Sequence, residues 1–301
     1  MKILVTGGAG FVGSNVAIDL ISKGHDVFIV DDLSFGSKEN IGDVPFYQLG
    51  FEYLLEKDLL NFDVLVHCAT SNIIYAIDFP IKTFKNNAIN TVELFNKFKG
   101  KIVYTSTASV YGQADNFPTT EDSTIRVSNA YDQSKYIVEL FLRQRGNYTT
   151  LRLSNVYGVN QRPDNPYCGV IGKVISEVIN GEEISVFGDG SQTRDFTYIS
   201  DVVRAIGLTV EQKPVNTEVN IATGRETSVN ELIELAISVV GNSVPVKNTS
   251  LRKIDGIKRR CLSVIKASEQ LNWKQTICLE EGLVKTIEWF KENLYLKKEY
   301  V

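Results

Sequence analysis

MKILVTGGAGFVGSNVAIDLISKGHDVFIVDD, residues 1–32, decides the fold of this chain. The apolar run 3–5 predicts a buried parallel strand, and the glycine-rich segment 6–13 predicts a tight turn that leads into an amphipathic helix. A second strand, residues 26–30, ends at two aspartates, 31 and 32. This order of strand, glycine turn, helix and strand predicts an α/β fold with a doubly wound parallel sheet, the Rossmann fold.

The three glycines of this turn have separate physical roles. Gly7 would allow the tight turn, Gly10 would let a pyrophosphate approach the backbone at the helix N-terminus, and Gly13 would let the helix lie close on the sheet. Asp31 follows about 20 residues later, where dinucleotide folds bind the ribose hydroxyls, and its charge would repel the additional phosphate of NADP. We therefore expect this unit to bind NAD.

Length and composition set the broad class. The chain has 301 residues, 43% of them hydrophobic, which allows a large core and predicts a larger and a smaller lobe. The net charge of -4 and the isoelectric point near 5.4 argue against the electrostatic footprint of a nucleic-acid-binding protein. No apolar run reaches the roughly 18 residues that span a bilayer, and the first strand follows Met1 almost at once. We expect no membrane partner and a cytoplasmic location.

The cysteines and histidines form no metal or disulfide pattern. The four cysteines, at 68, 168, 261 and 278, are far apart, and neither histidine has a partner at metal-ligand spacing. We expect reduced thiols and no metal. His67, at the end of a buried strand, is interpreted as a hydrogen-bonded structural residue.

Two helices and two strand ends carry the candidate chemistry. The strand 64–67 and the strand 102–104 lead into small and hydroxyl-bearing residues, which would lie at the ligand edge of the sheet. Pro80 opens a helical pattern that continues to Phe98. A later helix carries Tyr131 and Lys135, which are four residues apart, so the phenol and the ammonium point into the same space.

These motifs resemble those of the extended short-chain dehydrogenases/reductases, in particular the NAD-dependent epimerase/dehydratase family that acts on nucleotide sugars. The matching segments cover nearly the whole chain and are 6–13, 31–36, 106–112, 131–135, 155–158 and 187–196. Within the family the chain is most similar to the UDP-glucose 4-epimerases. The resemblance implies an NAD-binding Rossmann domain over residues 1–153, which residues from about 195 to 223 rejoin later in the chain. It also implies a smaller α/β lobe over residues 154–301 that mainly binds the nucleotide sugar.

The resemblance also implies roles for individual residues. Thr107, Tyr131 and Lys135 would be catalytic, with Tyr131 as the base. Asn155, Val170 and Arg194 would contact the nucleotide sugar together with Thr107, with Arg194 on the diphosphate, and Arg252 and Arg259 would add a second contact. The cofactor-binding set, taken from the resemblance and the glycine motif, is Gly7, Gly10, Phe11, Val12, Asp31, Asp32, Leu33, Ser34, Gly36, Cys68, Ala69, Thr70, Asn87, Thr105, Tyr131 and Lys135.

The expected reaction is epimerisation at C4 of a UDP-hexose through a transient 4-keto sugar. Lys135 and the oxidised nicotinamide are expected to lower the pKa of Tyr131 from its ordinary value near 10. The phenolate would then take the proton of a sugar hydroxyl that Thr107 holds. Arg194 would keep the nucleotide anchored while the sugar turns over.

Four other functions are compared with this expectation. A 4,6-dehydratase of this family has an Asp-Glu pair directly after the threonine, where this chain has Ala108 and Ser109; the same missing Glu argues against a sugar-acid decarboxylase. An NAD(P)H-dependent 4-ketosugar reductase needs the same three catalytic residues and is the main alternative. A non-catalytic NAD sensor fits poorly with an intact catalytic set.

The resemblance also implies an assembly. In relatives, the helices that correspond to 80–99 and 131–145 form a four-helix contact between two subunits. A homodimer is therefore expected, and the competing interpretation is that these apolar stripes belong to the core.

Overall fold

A single parallel sheet organises the larger part of the molecule. The computed structural model describes residues 1–54, 61–162, 169–251 and 256–298. The strands in this part of the chain are β1 Lys2–Thr6, β2 Asp26–Asp31, β3 Phe46–Gln48, β4 Val64–His67, β5 Lys101–Thr107, β6 Tyr148–Leu153, β7 Asn155–Tyr157, β8 Ile184–Phe187, β9 Thr193–Arg194, β10 Phe196–Tyr198, β11 Glu218–Ile221, β12 Thr227–Ser228 and β13 Val246–Thr249.

The helices alternate with these strands. They are α1 Phe11–Ser22, α2 Ile73–Asp78, α3 Pro80–Phe84, α4 Thr91–Lys97, α5 Ala130–Arg145, α6 Val170–Asn180, α7 Ile199–Glu211, α8 Val229–Val240, α9 Ile265–Leu271 and α10 Leu279–Lys298. Short 3-10 turns lie at Lys38–Asn40, Phe51–Leu54 and Ala108–Tyr111, and a π-helical segment lies at Lys85–Asn90.

The described strands form a seven-stranded sheet in the order β3-β2-β1-β4-β5-β6-β11, and all its pairs are parallel. The doubly wound Rossmann sheet predicted from the first 32 residues is therefore confirmed. Strand β11 reaches the sheet from a later part of the chain and pairs with β6, Glu218 opposite Thr150. Segment 218–221 thus lies in the first lobe although the chain has already passed through the second.

Both faces of the sheet are covered, because alternate residues of each central strand enter different cores. In β1, Ile3 and Val5 pack into one core with residues of α1 and α7. Leu4, between them, packs into a second core with residues of α4 and α5. The helix α5 is therefore held against the sheet on the face opposite α1.

The smaller lobe is built from short strand pairs and from α6, α8 and α10. The pairs are β7 with β10, β9 with β12 and β8 with β13. A separate apolar core joins α6 to α8 and β8. Because β7 directly follows β6, the two lobes meet where the long sheet ends.

The glycine turn has a tighter packing than the sequence predicted. Gly7 has a φ of +69°, a value that favours glycine, and a Cβ at this position would lie 2.5 Å from the Ala69 nitrogen. A Cβ on Gly13 would lie 2.1 Å from the Gly7 carbonyl oxygen. The close approach that Gly13 allows is therefore to the turn at the end of β1, and α1 also packs on the sheet.

The predicted helix from Pro80 to Phe98 is interrupted. It contains α3, the π-helical segment Lys85–Asn90 and α4, and it ends at Lys97. Within it, the Thr91 hydroxyl donates a 3.2 Å hydrogen bond to the Asn86 carbonyl, five residues earlier. The helical periodicity of the sequence does not reveal such a segment, because the apolar patterns of α3 and α4 on its two sides stay intact when one residue is added.

Candidate functional site

The glycine turn opens onto a cavity of about 400 Å³ at the carboxyl ends of β1, β2 and β4. This is the edge of the sheet at which Rossmann folds bind dinucleotides. Many predicted cofactor residues line it, namely Gly7, Gly10, Asp31, Asp32, Ser34, Gly36, Cys68, Ala69 and Thr70. A Cβ at Gly10 would have only the Gly7 carbonyl within 4 Å, so the backbone there is bare toward the cavity. These residues fit a dinucleotide with its diphosphate at the N-terminus of α1.

Asp31 connects the end of β2 to the glycine turn. Its carboxylate accepts hydrogen bonds from the Ala9 nitrogen at 2.9 Å and the Leu33 nitrogen at 2.8 Å. Burial raises the pKa of Asp31, and these backbone hydrogen bonds oppose the shift. Leu33 has a φ of 62°, so the chain turns sharply away directly after this strand. The carboxylate is thus fixed at the cavity, where it can meet ribose hydroxyls.

Some predicted cofactor residues lie beside the cavity instead of lining it. Phe11, Val12 and Leu33 are half-buried next to the glycine turn. The Thr105 hydroxyl donates to the His67 carbonyl at 2.9 Å. Asn87 is 2% exposed, and its amide bonds the backbone of Ser71, accepting at 2.7 Å and donating at 2.8 Å.

Several residues of the cavity wall were not predicted from the sequence, among them the polar side chains Lys82 and Asn86. The Asn86 amide donates to the Ser71 hydroxyl at 3.3 Å. Lys82 places its ammonium 5.0 Å from the centre of the Phe79 ring. Only the packing of α3 and the π-helical segment brings these side chains to the cavity.

Tyr131 begins the helix that carries the candidate chemistry. Asn129 caps α5 by accepting a 3.0 Å hydrogen bond from the Asp132 nitrogen. The Tyr131 side chain is half-buried and lies close enough to Thr107 for that hydroxyl to affect its pKa. Burial raises its pKa to about 12, while Thr107 and the charge of Arg260 act in the opposite direction. In the polypeptide alone burial dominates and raises the pKa of the phenol, so its expected lowering by Lys135 and the oxidised nicotinamide together stays a prediction for the loaded site.

Burial shifts the pKa of Lys135 further from its ordinary value than it shifts the pKa of Tyr131. It is 2% exposed, and its ammonium lies 4.5 Å from the centre of the Tyr104 ring. Burial lowers its pKa to about 7, and the acidic groups of Cys68 and Glu139 oppose that shift. Because Cys68 lines the cavity, Lys135 lies directly behind the cavity wall.

Sequence analysis also missed the pair of charges beside Tyr131. Asp132 is 1% exposed, and burial raises its pKa. Burial, followed by the like charge of Arg194, lowers the pKa of Arg260 to about 10, while Asp132 and Tyr131 act in the opposite direction. Arg260 therefore lies in the electrostatic range of both Tyr131 and Arg194. It belongs to the basic segment 251–260 from which Arg252 and Arg259 had been selected.

Arg259, predicted to contact substrate, is directed elsewhere. Its guanidinium bonds both carboxylate oxygens of Glu226, at 3.0 and 2.6 Å, and lies 4.4 Å from the centre of the Phe117 ring. Arg260 is the member of the pair that lies near Tyr131, so the substrate contact of Arg259 stays a prediction that this arrangement does not favour. Arg252 lies outside the described residues.

The remaining predicted substrate residues lie on the second lobe. The Asn155 Oδ1 atom is buried and has no hydrogen-bond partner among the described residues. Val170 is the first residue of α6. Arg194 donates hydrogen bonds to the carbonyls of Thr193, at 2.8 Å, and Ile257, at 3.0 Å. The second of these contacts ties β9 to the segment that carries Arg260.

His67 is a structural residue, as the sequence predicted. Its ring bonds the hydroxyls of Thr6 at 2.7 Å and Thr91 at 3.2 Å, and it is 1% exposed. Burial lowers its pKa well below the ordinary value, and the charge of Lys135 adds to the shift. The histidine therefore stays neutral and joins β1, β4 and α4.

Fold, cavity and helical Tyr-Lys pair together define a dinucleotide-dependent enzyme of the short-chain dehydrogenase/reductase class. A sequence profile of the NAD dependent epimerase/dehydratase family matches residues 3–222. The chain belongs to this family, as its motifs predicted, and NAD is its cofactor. In the described residues, none of the helices combines the length and apolar character needed to cross a membrane.

Individual relatives match over almost the whole chain. The putative UDP-glucose 4-epimerase of Methanocaldococcus jannaschii is 36% identical over 97% of this chain and 99% of its own length. UDP-glucuronic acid decarboxylase 1 of Xenopus tropicalis is 31% identical over 97% of this chain and 73% of its own. The crystal structure of the UDP-glucose 4-epimerase of Thermotoga maritima with UDP-glucose has a TM-score of 0.92 and 36% identity, covering 98% of this chain and 100% of that one. Family membership alone therefore does not fix the reaction.

The buried ammonium of Lys135 yields a prediction about stability. Its pKa falls from the ordinary 10.5 to about 7, so between these values the unfolded chain binds a proton that the folded chain does not. Stability rises with pH across this window. Lys135→Met should therefore raise the free energy of unfolding below about pH 7, by on the order of 4 kcal/mol, and the gain should shrink toward pH 10.5.

Urea denaturation at several pH values measures this difference. Lys97→Met, which changes an exposed lysine of α4, is the matched control and should show no such pH dependence. A Lys135→Met protein less stable than the parent near pH 6 would contradict the assignment of a strained ammonium.

Proposed function

We propose that the chain is an NAD-dependent nucleotide-sugar epimerase that inverts C4 of a UDP-hexose through a transient 4-keto sugar. The observation that carries the proposal is the grouping of Thr107, Tyr131 and Lys135 beside the cavity, without a carboxylate at 108–109. The relatives named UDP-glucose 4-epimerase support it, because they match this chain and their own over nearly the full length.

Tyr131 and Thr107 would hold the reacting hydroxyl. The Thr107 hydroxyl lies close enough to Tyr131 to lower its pKa, so a sugar hydroxyl that contacts both side chains would meet one proton acceptor and one hydrogen-bonding partner. Bound NAD supplies the oxidant, later the reductant, and in its oxidised form a positive charge near the phenol. Thr107 and Arg260 oppose the rise in the Tyr131 pKa that burial causes, but they do not cancel it. Proton removal by Tyr131 therefore depends on a loaded site.

Arg194 and Arg260 would anchor the nucleotide. The positive charge of Arg194 lowers the pKa of Arg260, which shows that the two guanidiniums repel each other. A bound diphosphate would offset this repulsion with its negative charge and accept hydrogen bonds from both guanidiniums. An epimerase must let its keto sugar rotate and present the opposite face. Contacts at the remote diphosphate achieve this, because they retain the intermediate without restraining the sugar.

Elimination and decarboxylation are less well supported. In place of the acidic pair of family dehydratases, Ala108 and Ser109 follow Thr107 and are 1% and 8% exposed. Asp132 is a carboxylate near Tyr131, but its Oδ2 accepts hydrogen bonds from Ser128 at 3.2 Å and from Asn129 at 2.7 Å. It therefore helps to order the start of α5.

Product analysis separates the epimerase from the 4-ketosugar reductase. We expect the purified protein to interconvert a UDP-hexose and its C4 epimer, followed by NMR, without net use of NADH. UDP-, dTDP- and GDP-hexoses are compared in parallel. Tyr131→Phe should retain NAD but lose about 10²–10⁴-fold in turnover, because the proton acceptor is gone. Stoichiometric consumption of added NADH with a 4-ketosugar would instead establish the reductase.

The assignment at the basic segment is also testable. Arg260→Met should raise the KM for the nucleotide sugar by at least about tenfold, because a charge-assisted contact with the diphosphate is lost. Arg259→Met removes a neighbouring guanidinium that binds Glu226, and it should change KM little. Steady-state kinetics of both variants measure the difference. An equal effect of the two substitutions would reject the assignment of Arg260.

We also propose that the chain forms a homodimer through α2, α3, the π-helical segment and α5. These elements pack on one another. Their outer side exposes large apolar residues, which together make a surface that is unusual for a monomer. They are Ile77 (53% exposed), Phe79 (42%), Ile81 (79%), Ile89 (55%), Ile137 (43%) and Leu140 (41%). The alternative, that the stripes are core, does not account for their exposure.

Replacing Ile89 and Ile137 together by lysine should give a monomer in sedimentation equilibrium, because two buried charges per subunit would face the partner. Ile265→Lys, at an equally exposed isoleucine of α9, is the control and should leave the mass unchanged. A parent protein that sediments as a monomer at all concentrations would contradict the dimer.

A further inference from the structure

The helix α5 presents three ionisable side chains at intervals of four residues, Tyr131, Lys135 and Glu139. Residues at this spacing lie on one face of a helix. The proposed mechanism uses the first two. Glu139 is 0% exposed, and a carboxylate is rarely buried to this extent unless it is paired. What this third group does is therefore a separate question.

Glu139 connects three secondary-structure elements. Its Oε1 accepts a 2.6 Å hydrogen bond from the Ser106 hydroxyl, at the end of β5. Arg152, on β6, donates to Oε1 at 3.1 Å from Nε and to Oε2 at 2.7 Å from Nη2. Ser106 directly precedes Thr107. The carboxylate thus ties the helix that carries Tyr131 to the strand that carries Thr107.

The network continues toward the second lobe. Arg152 also donates to the Tyr111 hydroxyl at 2.9 Å, and that hydroxyl donates to the Asn220 Oδ1 at 2.7 Å. The Asn220 amide donates to the Ser263 carbonyl at 3.3 Å. Ser263 follows Arg260 by three residues. A continuous set of hydrogen bonds therefore runs from the catalytic face of α5 to the segment with the proposed diphosphate contact.

Stability is not a sufficient reason for such a pair. The cost of removing both charges from water roughly cancels their attraction, and apolar residues of similar volume often replace buried ion pairs without loss. The two parallel hydrogen bonds of one bidentate pair, in contrast, define direction and distance closely. The proposed mechanism places the hydroxyls of Tyr131 and Thr107 around one sugar oxygen, so it requires such a closely defined geometry. A displacement of about 1 Å can lower the rate by about 10²-fold.

We propose that the Glu139–Arg152 pair is a positioning device: it fixes the rotation and the height of α5 against β5 and β6, and thereby sets the Tyr131 and Lys135 side chains against Thr107. Glu139 acts through these residues and does not itself touch substrate. The proposal rests on the proposed function for the identity of the reaction, but not for the position of Lys135.

The test compares two ion pairs on the same helix. Glu139→Gln keeps the shape and removes the charge of the inner pair. Glu218→Gln does the same to an outer pair near the C-terminal end of α5, in which Arg143 donates to both Glu218 carboxylate oxygens at 3.0 Å. We expect Glu139→Gln to lower kcat by about 10- to 100-fold with KM changed less than about threefold, and Glu218→Gln to leave both near the parent values.

A second measurement separates positioning from folding. The ¹³Cε resonances of labelled lysines, assigned with Lys135→Met, follow the titration of Lys135 without substrate. Because Glu139 raises the pKa of Lys135, Glu139→Gln should move this titration to lower pH. The double variant Glu139→Met, Arg152→Met is a control against misfolding, because it removes both charges of this ion pair together. It should fold and still lose kcat.

The outcomes are distinct. A double variant with the parent's kcat, or a Glu139→Gln protein with unchanged Lys135 titration and unchanged kcat per folded molecule, would overturn the proposal. If the parent protein converts no nucleotide sugar, the proposed function fails, whereas a shifted Lys135 titration in Glu139→Gln would still support the positioning role.

Discussion

The site depends on keeping an ammonium group where very little water reaches it. Lys135 lies behind the cavity wall, over the Tyr104 ring, and burial takes its pKa to about 7. The surrounding protein groups must hold an ammonium in this position, because there is little water to solvate the charge if it is displaced. The parallel sheet, the helix α5 and the pair beneath it supply those surroundings. Much of the architecture on this face of the sheet can be understood as the means of holding that one charge.

The same burial acts in the opposite direction on the phenol. Tyr131 has a pKa of about 12 in the polypeptide, with Thr107 and Arg260 reducing the shift and Asp132 increasing it. An enzyme whose base becomes effective only in a loaded site is protected against proton transfer without substrate. Since Arg260 also lies near Arg194, the charge that favours the phenolate belongs to the region proposed for the diphosphate. The region proposed for diphosphate binding and the proposed base Tyr131 therefore lie close together in this structure.

The family contains epimerases and decarboxylases that share this scaffold. The difference between them must therefore come from a few side chains around the sugar. In this chain the position after Thr107 holds Ala108 and Ser109, which carry no charge, and Asp132 is engaged in ordering the start of α5. A site without a mobile acid at the sugar favours a reaction in which only one proton moves at one hydroxyl. That reasoning is the physical basis for preferring epimerisation.

The sequence by itself determined the Rossmann unit, NAD as cofactor and the Tyr131–Lys135 pair, because each depends on short-range spacing: a glycine turn after a strand, a carboxylate after the next, two side chains one helical turn apart. It could not select Arg260 over Arg259, detect the π-helical segment that brings Asn86 to the cavity, or give the direction of the Tyr131 pKa shift. Those features arise when distant segments pack together. Only the tertiary structure decides which side chains lose water and which charges they then face, and at Tyr131 and Lys135 burial is the largest cause of the pKa shift.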